Sequence, residues 1–163
     1  MKLMKKLFLF FVAGIAFSAC TKTDVKPAGN VVSAASQDAL SVRTKRSALL
    51  TAHPWIYQGF YFNYVDQNNK GDVQYERGGT NNVIDLDQTV FTFRQNGTFL
   101  EIDGGYRYPG TWHFTDNTAT VLILDFTYWT DDCSIVTFTN NHLNYTQPLG
   151  YHSKSFTELI PSP

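Results

Sequence analysis

Hydrophobic and polar residues alternate along the chain from Thr89 to Leu124, which is the pattern of consecutive β-strands. The clearest turn in this stretch is Asn96-Gly97, which separates the apolar-rich segments 90–94 and 99–102. Asn-Gly suits the two positive-φ positions of a type I′ turn, whose twist matches that of the flanking strands. The pattern therefore predicts a β-hairpin closed by a two-residue loop.

A two-residue loop fixes which residues face each other across this hairpin. Phe93 is then opposite Leu100, and Phe91 is opposite Ile102. Because side chains alternate between the two faces of a strand, these four residues share one face. The other face is polar except for Phe99, so the first face is expected to lie on the core.

Similar apolar segments, separated by short polar turns, continue through the rest of the chain. Gly59, inside the first of them, predicts a bulge or bend. Their number and spacing predict an all-β domain, an antiparallel up-and-down meander of about eight strands that closes into a barrel or half-barrel. The predicted strands are 55–65, 73–76, 90–94, 99–102, 106–114, 119–126, 133–139, 142–147 and 155–160.

The N-terminus has the features of an export signal. Three lysines lie within the first six residues, and an apolar run of eleven residues follows from Leu7 to Phe17. This run is too short for a membrane span, which needs about 20 residues. Phe17-Ser18-Ala19-Cys20 resembles a bacterial lipobox, in which the cysteine becomes the lipidated first residue of the mature protein. We expect a lipoprotein signal peptide over 1–19 and a membrane anchor on Cys20, the alternative being an ordinary signal peptide cleaved nearby.

The segment that follows Cys20 is rich in Ser, Ala, Thr and Lys and has no aromatic residue up to position 48. Such a composition cannot bury enough apolar surface to fold by itself. The sequence therefore predicts a flexible tether over 20–48 and a folded domain over 49–163. Lipidation of Cys20 implies location at the bacterial cell envelope, with membrane lipid as a partner.

The charge of the predicted domain excludes one class of partner. The chain has a formal net charge of −1, but from Leu49 onward five basic residues oppose twelve acidic ones, which leaves −7 with histidines neutral. Sequence-independent binding of nucleic acid requires a basic surface, so no nucleic-acid partner is expected. At 163 residues the chain has room for one domain, and we expect a monomer.

Three short motifs lie between residues 49 and 147. They are Leu49-Leu50-Thr51 with Trp55, Phe91-Thr92-Phe93 with Asn96-Gly97-Thr98-Phe99, and Gly110-Thr111-Trp112. Together they resemble the bacterial lipocalin-like lipoprotein family. The resemblance implies a lipocalin-like barrel with a cup for a small ligand.

Residues for catalysis or metal binding do not form a recognisable pattern. The four histidines contain no i,i+4 pair and have no cysteine partner at zinc spacing. A Gly-x-Ser-x-Gly nucleophile motif is absent, and Cys133 is interpreted as a small buried hydrophobic residue. We therefore expect no enzyme activity, no metal and no cofactor.

Aromatic residues carry the positive indication of function. From Leu49 onward there are nine Tyr, three Trp and nine Phe. An eight-stranded barrel is just wide enough to be filled by side chains or to hold one small ligand, so most Phe are expected in the core. Tyr and Trp combine an apolar body with a polar tip, which suits ligand contacts at a wet edge. The candidate ligand-binding residues are Trp55, Tyr57, Tyr61, Tyr106, Tyr108, Trp112, Tyr128 and Trp129.

Two functional hypotheses follow from these residues. The first is a membrane-anchored lipocalin-like lipoprotein that binds a small, partly apolar ligand in or at the mouth of the barrel. The second is a cell-envelope interaction module that binds protein or glycan through exposed aromatic residues or through the polar segment 66–88.

Overall fold

The computed structural model describes residues 34–163, so the predicted signal peptide, Cys20 and the first part of the predicted tether lie outside the described residues. Within this part of the chain, no helix has both the length and the apolar character needed to cross a membrane. The described elements are α1 (Ala34–Leu50), β1 (Trp55–Phe62), β2 (Asp72–Glu76), β3 (Val90–Phe93), β4 (Thr98–Asp103), β5 (Tyr106–Phe114), β6 (Val121–Phe126), β7 (Thr130–Phe138), β8 (Leu143–Gly150) and β9 (Ser153–Pro161).

Eight strands form a closed antiparallel barrel. From β3 to β9 each strand pairs with the next one along the chain, and β1 closes the ring by pairing with both β3 and β9. This order confirms the predicted meander and is the up-and-down topology found in lipocalins. The ninth strand, β2, lies outside the ring and pairs with Gly59–Phe62 of β1, while β3 pairs only with Trp55 and Ile56.

The two ends of the barrel differ. Helix α1 lies against the end that carries the turns 94–98, 115–120 and 139–142. A hydrogen bond shows this position, since Arg46 Nη1 donates to the Ala119 carbonyl oxygen at 2.6 Å. Just after the helix, His53 Nε2 lies 3.2 Å from the carbonyl oxygen of Asn140. We call this the closed end. The opposite end, which carries the turns 104–105, 127–129 and 151–152, is the open end.

Helix α1 differs from the prediction of a flexible segment that extends to residue 48. The helical segment contains neither Gly nor Pro and is rich in Ala, Leu and Arg, which favour helices. Its last residue, Leu50, is fully buried in the barrel core, and the Leu50 carbonyl oxygen accepts a hydrogen bond from Trp55 Nε1 at 2.9 Å. The helix is therefore fixed by its C-terminal end, which composition alone does not reveal.

The central hairpin forms where it was predicted, but the predicted register is wrong by one residue. Phe93 pairs with Phe99, and Arg94 N donates to the Thr98 carbonyl oxygen at 2.9 Å. The loop therefore has three residues, with Gly97 at a φ of 82°. This is the arrangement of a turn followed by a bulge residue in the left-handed region, and Asn-Gly can serve it as well as a type I′ turn.

A shift of one residue moves every side chain of β4 to the other face. Phe99 is buried inside the barrel beside Phe93, and Glu101 points inward opposite Phe91. Leu100 and Ile102, which were predicted to face the core, lie on the outer face and are half-buried.

Apolar side chains fill the half of the barrel next to the closed end. Trp112 Nε1 donates to the Arg94 carbonyl oxygen at 3.0 Å, and the Trp55 ring meets the Phe138 ring edge-on with centroids 6.2 Å apart. Because this half is filled by apolar side chains, buried polar side chains lie mainly in the open half. The buried residues of this core are Leu50, Trp55, Phe93, Phe99, Trp112, Phe114, Leu122, Leu124, Leu143 and Leu159.

Candidate functional site

The interior of the open half contains ionisable side chains instead of a continuous apolar core. Glu101 of β4 faces the barrel interior, because it pairs with the inward-facing residues Phe91 and Tyr108. Asp131 and Cys133 point inward from β7, because they pair with the core residues Leu124 and Leu122. Tyr57 of β1 and Tyr145 of β8 complete the set. These side chains bring several titratable groups into one partly desolvated space.

Glu101 is the most strongly perturbed carboxylic acid of this interior. Burial, followed by the negative charges of Asp103 and Asp131, raises the pKa of Glu101 to about 7. A carboxyl group in this environment is partly protonated at neutral pH, because desolvation and nearby like charges both disfavour the ionised form. The open half therefore holds a group whose charge changes near physiological pH.

Burial keeps the two tyrosines and the thiol of the interior neutral at physiological pH. Burial, followed by the charge of Glu101, raises the pKa of the Tyr57 hydroxyl far above its ordinary value. Burial likewise raises the pKa of the Tyr145 hydroxyl and of the Cys133 thiol. A thiol kept protonated by burial is a poor nucleophile, which agrees with a structural role for Cys133.

An apolar pocket of about 240 Å³ opens between β5 and the turn that joins β6 to β7. Phe126 N donates to the Trp129 carbonyl oxygen at 2.9 Å, and this tight turn stacks the two rings with centroids 4.4 Å apart and planes inclined by 18°. Tyr108 approaches Trp129 edge-on at 6.2 Å, and Phe99 supports Phe126 from the core at 4.8 Å. We call the space lined by Tyr108, Phe126 and Trp129 the aromatic pocket.

A second pocket of about 230 Å³ lies on the other side of the start of β7. Its inward-facing lining comes from Phe60, Asp131, Gln147 and Ser155, and we call it the polar pocket. Drug-sized ligands occupy sites of about 300–1,000 Å³, so each pocket alone suits a smaller molecule.

Neighbouring residues of one segment line the two pockets, with Trp129 in the aromatic pocket and Asp131 in the polar pocket. Burial raises the pKa of the Asp131 carboxyl group, and hydrogen bonding from Trp129 and Gln147 offsets part of this rise. The Asp131 carboxylate is thus within reach of a residue that lines the aromatic pocket and of one that lines the polar pocket.

Three of the predicted ligand-binding residues lie elsewhere. Trp55 and Trp112 belong to the core of the closed half, and both indole N–H groups are already hydrogen-bonded to carbonyl oxygens. Tyr61 lies on the outer face, where its hydroxyl donates to carboxylate oxygens of Glu76 at 3.1 Å or Glu158 at 3.2 Å.

A bulge in β1 explains the position of Tyr61. The pairing of β1 with β9 shifts between Tyr57 and Gly59, which confirms the predicted irregularity at Gly59. Beyond the shift, the Phe60 ring contacts the inward-facing Tyr57 ring at 6.2 Å, and Tyr61 turns outward. A Cβ at position 59 would lie 2.5 Å from the Tyr61 hydroxyl oxygen, so a larger residue there would displace the Tyr61 side chain.

The other five predicted residues all lie in the open half. Tyr57 lies inside, Tyr108 and Trp129 line the aromatic pocket, and Tyr106 and Tyr128 stand at the rim with 72% and 89% of their surface exposed. The sequence reasoning missed Glu101, Asp131, Tyr145 and Ser155 as parts of this interior. The available signal was the alternation along β7 and β9, which places Asp131 and Ser155 in phase with buried residues.

Metal-binding geometry is not found at this site. Among residues 34–163, no group of three or more His, Cys, Asp or Glu side chains is arranged to hold a metal ion.

Comparisons with known proteins give only distant structural similarity. No protein-family model matches the chain, and the search of curated proteins finds no match. Among solved structures, a DUF4847 family protein from Bacteroides vulgatus is 16% identical with a TM-score of 0.49, over 68% of this chain and 93% of that one. Bovine odorant binding protein in complex with a selenium-containing odorant is 12% identical with a TM-score of 0.37, over 70% and 76% of the two chains. A deswapped triple mutant of the bovine protein is 12% identical with a TM-score of 0.35, over 70% and 74%.

Proposed function

We propose that this chain is a membrane-anchored lipocalin-like lipoprotein that binds a small, partly apolar ligand at the open end of its barrel. The observation that carries the proposal is the aromatic pocket, whose stacked Phe126 and Trp129 rings and edge-on Tyr108 face a space of about 240 Å³. The closed half is packed with apolar side chains, so the open end is where a ligand can be accommodated. Binding without chemical conversion fits an interior whose thiol and tyrosines are held neutral.

The anchor and the envelope location rest on the N-terminal sequence. The lipobox-like Phe17-Ser18-Ala19-Cys20 follows a short apolar run and a basic start. Each buried methylene of an acyl chain contributes about 0.8 kcal/mol, so acylation of Cys20 would hold the protein at a membrane.

We expect Cys20→Ser to abolish lipid attachment. In cells grown with an alkyne-labelled fatty acid, the unmodified chain should take up the label and remain with the membrane fraction. Cys133→Ser is the matched control, because it removes the buried cysteine of β7 and leaves the proposed acceptor intact. Label that persists in Cys20→Ser would refute the anchor.

We expect the full chain, reconstituted in phosphatidylcholine nanodiscs, to bind 2-phenylethanol saturably. Trp129→Ala should weaken this binding about tenfold, because the substitution removes an aromatic contact of roughly 0.5–1.5 kcal/mol together with the apolar area that the ligand buries against the indole. Ligand-observed NMR measures the affinity, with empty nanodiscs as the blank.

Tyr151→Ala is the control for Trp129→Ala. Tyr151 is also an aromatic residue at the open end, but it is fully exposed and lies outside the lining of the aromatic pocket. Its replacement should leave the affinity for 2-phenylethanol unchanged. Absence of saturable binding by the unmodified chain, or equal binding by Trp129→Ala, would contradict the proposed site.

A second candidate is an interaction module for protein or glycan at the same end, favoured by the exposure of Tyr106 and Tyr128. The segment 66–88 contributes less to this candidate than its polar sequence indicates. It contains β2 and buries Tyr75, whose hydroxyl donates to Asp87 Oδ1 at 2.6 Å. Capture of an envelope glycan or protein that is lost in Tyr106→Ser/Tyr128→Ser, without saturable 2-phenylethanol binding, would favour this candidate.

A further inference from the structure

The open half of the barrel contains three carboxylic acids without a basic partner. Glu101 and Asp103 come from β4, and Asp131 comes from β7. Within residues 34–163, every ion pair involves other acidic residues, namely Asp87, Asp125 and Glu158. Asp103 receives a hydrogen bond from Thr89 Oγ1 at 2.7 Å, which is an uncharged donor. The interior is therefore negative and uncompensated by protein side chains.

A second observation points to a missing polar partner at the same place. Ser155 is 1% exposed, and its hydroxyl oxygen has no hydrogen-bond partner in the described part of the chain. Ser155 pairs with Gln147 and faces the polar pocket together with Asp131. Buried hydroxyl groups are nearly always hydrogen-bonded, so an unpaired one beside a pocket can accept a hydrogen bond from a bound molecule.

The aromatic residues near Asp131 add a surface that can bind the apolar part of a ligand or a cation. Ring faces of Trp, Tyr and Phe attract cations as well as apolar groups. Trp129 lines the aromatic pocket two positions before Asp131 in the chain, and hydrogen bonding from Trp129 offsets part of the rise in the pKa of the Asp131 carboxyl group. One molecule that spans both pockets would thus meet an anionic, hydrogen-bonding part and an aromatic part.

We propose that the ligand is a small amphipathic amine. Its ammonium group lies between the Asp131 carboxylate and the Ser155 hydroxyl, and its apolar body lies against Trp129 and Phe126. An ammonium group would be a cationic partner for the three carboxylic acids, and its N–H groups would donate a hydrogen bond to the Ser155 oxygen. This inference rests on the proposed function, because it names the ligand class of the same open end.

The test compares two probes that differ in one group. Phenethylamine is a cation at pH 7.5, and 2-phenylethanol is its neutral counterpart of nearly equal size. With the full chain in phosphatidylcholine nanodiscs, whose lipid headgroups carry no net charge, phenethylamine should bind at least about tenfold more tightly than 2-phenylethanol, and empty nanodiscs are the blank for both probes. Ligand-observed NMR gives both affinities under one condition.

Variants then assign the preference to named groups. Asp131→Asn should reduce the advantage of phenethylamine to threefold or less while the affinity for 2-phenylethanol changes less than twofold. Ser155→Ala should weaken phenethylamine binding several-fold. Asp125→Asn is the matched control, because it removes one negative charge near the open end from the outer face, where Asp125 accepts a hydrogen bond from Thr130 Oγ1 at 2.8 Å. It should leave both affinities unchanged.

The results test the amine assignment and the ligand site separately. Equal affinity for the two probes, or an advantage that survives Asp131→Asn, overturns the amine assignment and leaves the aromatic pocket as a ligand site. Absence of binding by both probes overturns the amine assignment and the proposed function together. Urea unfolding of each variant before the titration ensures that a lost affinity reports on the site and not on a lost fold.

Discussion

Trp55→Ala is expected to lower the free energy of unfolding by about 4 kcal/mol. Trp55 is fully buried in the closed half of the barrel, so the substitution leaves a large cavity that rigid strands cannot fill. The change also removes the donor for the Leu50 carbonyl oxygen, which is the contact that joins the end of helix α1 to β1. Urea unfolding followed by circular dichroism measures the loss.

Two further variants separate the contributions to this loss. Trp55→Phe keeps most of the buried apolar surface and should cost about 1–3 kcal/mol, because it leaves the Leu50 carbonyl oxygen without its partner. Trp129→Ala removes the same side chain from the rim, where Trp129 is 44% exposed, and should cost about 1–2 kcal/mol, less than Trp55→Ala. A cost below 1.5 kcal/mol for Trp55→Ala would show that the closed half is not the tightly packed core described here.

The strands and their order could be predicted because their signals are local. Each connection from β3 to β9 is a short turn, and short turns between alternating segments force neighbouring strands to pair. Closure of the ring follows from the number of strands, since β9 must find a partner edge and β1 supplies it. This is why nine segments read from alternation alone correspond to the nine strands of the structure.

The register of the central hairpin depends on contacts that are distant in sequence. The Phe99 ring lies over Gly110 of β5, where a Cβ atom would be 2.5 Å from Phe99 Cε1. The glycine thus makes room for an inward-facing Phe99 and favours the three-residue loop. Asn96-Gly97 is compatible with either loop, so the local sequence could not decide between them.

The same shift explains why the candidate site was only half predicted. With the predicted two-residue loop, Glu101 would lie on the solvent face and would not belong to the candidate site. With the observed register it enters the barrel opposite Phe91 and Tyr108. The aromatic members of the site could be predicted because Tyr and Trp suit wet apolar edges, whereas the acidic members depend on which face each strand turns inward.

Glu101→Gln is expected to remove much of the pH dependence of stability between pH 4.5 and 8. The pKa of Glu101 is about 7 in the barrel, compared with the ordinary value of 4.5 that applies to the unfolded chain. Between these values the native state binds more protons than the unfolded state, so the free energy of unfolding decreases as pH rises. The stability linked to Glu101 is complete below pH 4.5 and is lost as pH rises through about 7.

The expected size of this effect is at most about 3 kcal/mol at pH 8, and solvent at the open end will reduce it. Glutamine has the shape of the protonated acid but cannot ionise, so Glu101→Gln should match the unmodified chain at low pH and be more stable above pH 7. Asp131 faces the same space, and burial raises its pKa, so part of the slope should persist in the variant.

Urea unfolding from pH 4.5 to 8.5 tests this expectation, with Asp38→Asn on the exposed part of α1 as the charge-matched control. The control should follow the unmodified chain at every pH, because Asp38 is exposed to solvent on α1, outside the barrel interior. Parallel curves for Glu101→Gln and the unmodified chain would mean that Glu101 is solvated, and the barrel interior would then lack the partly desolvated character that the proposed site requires.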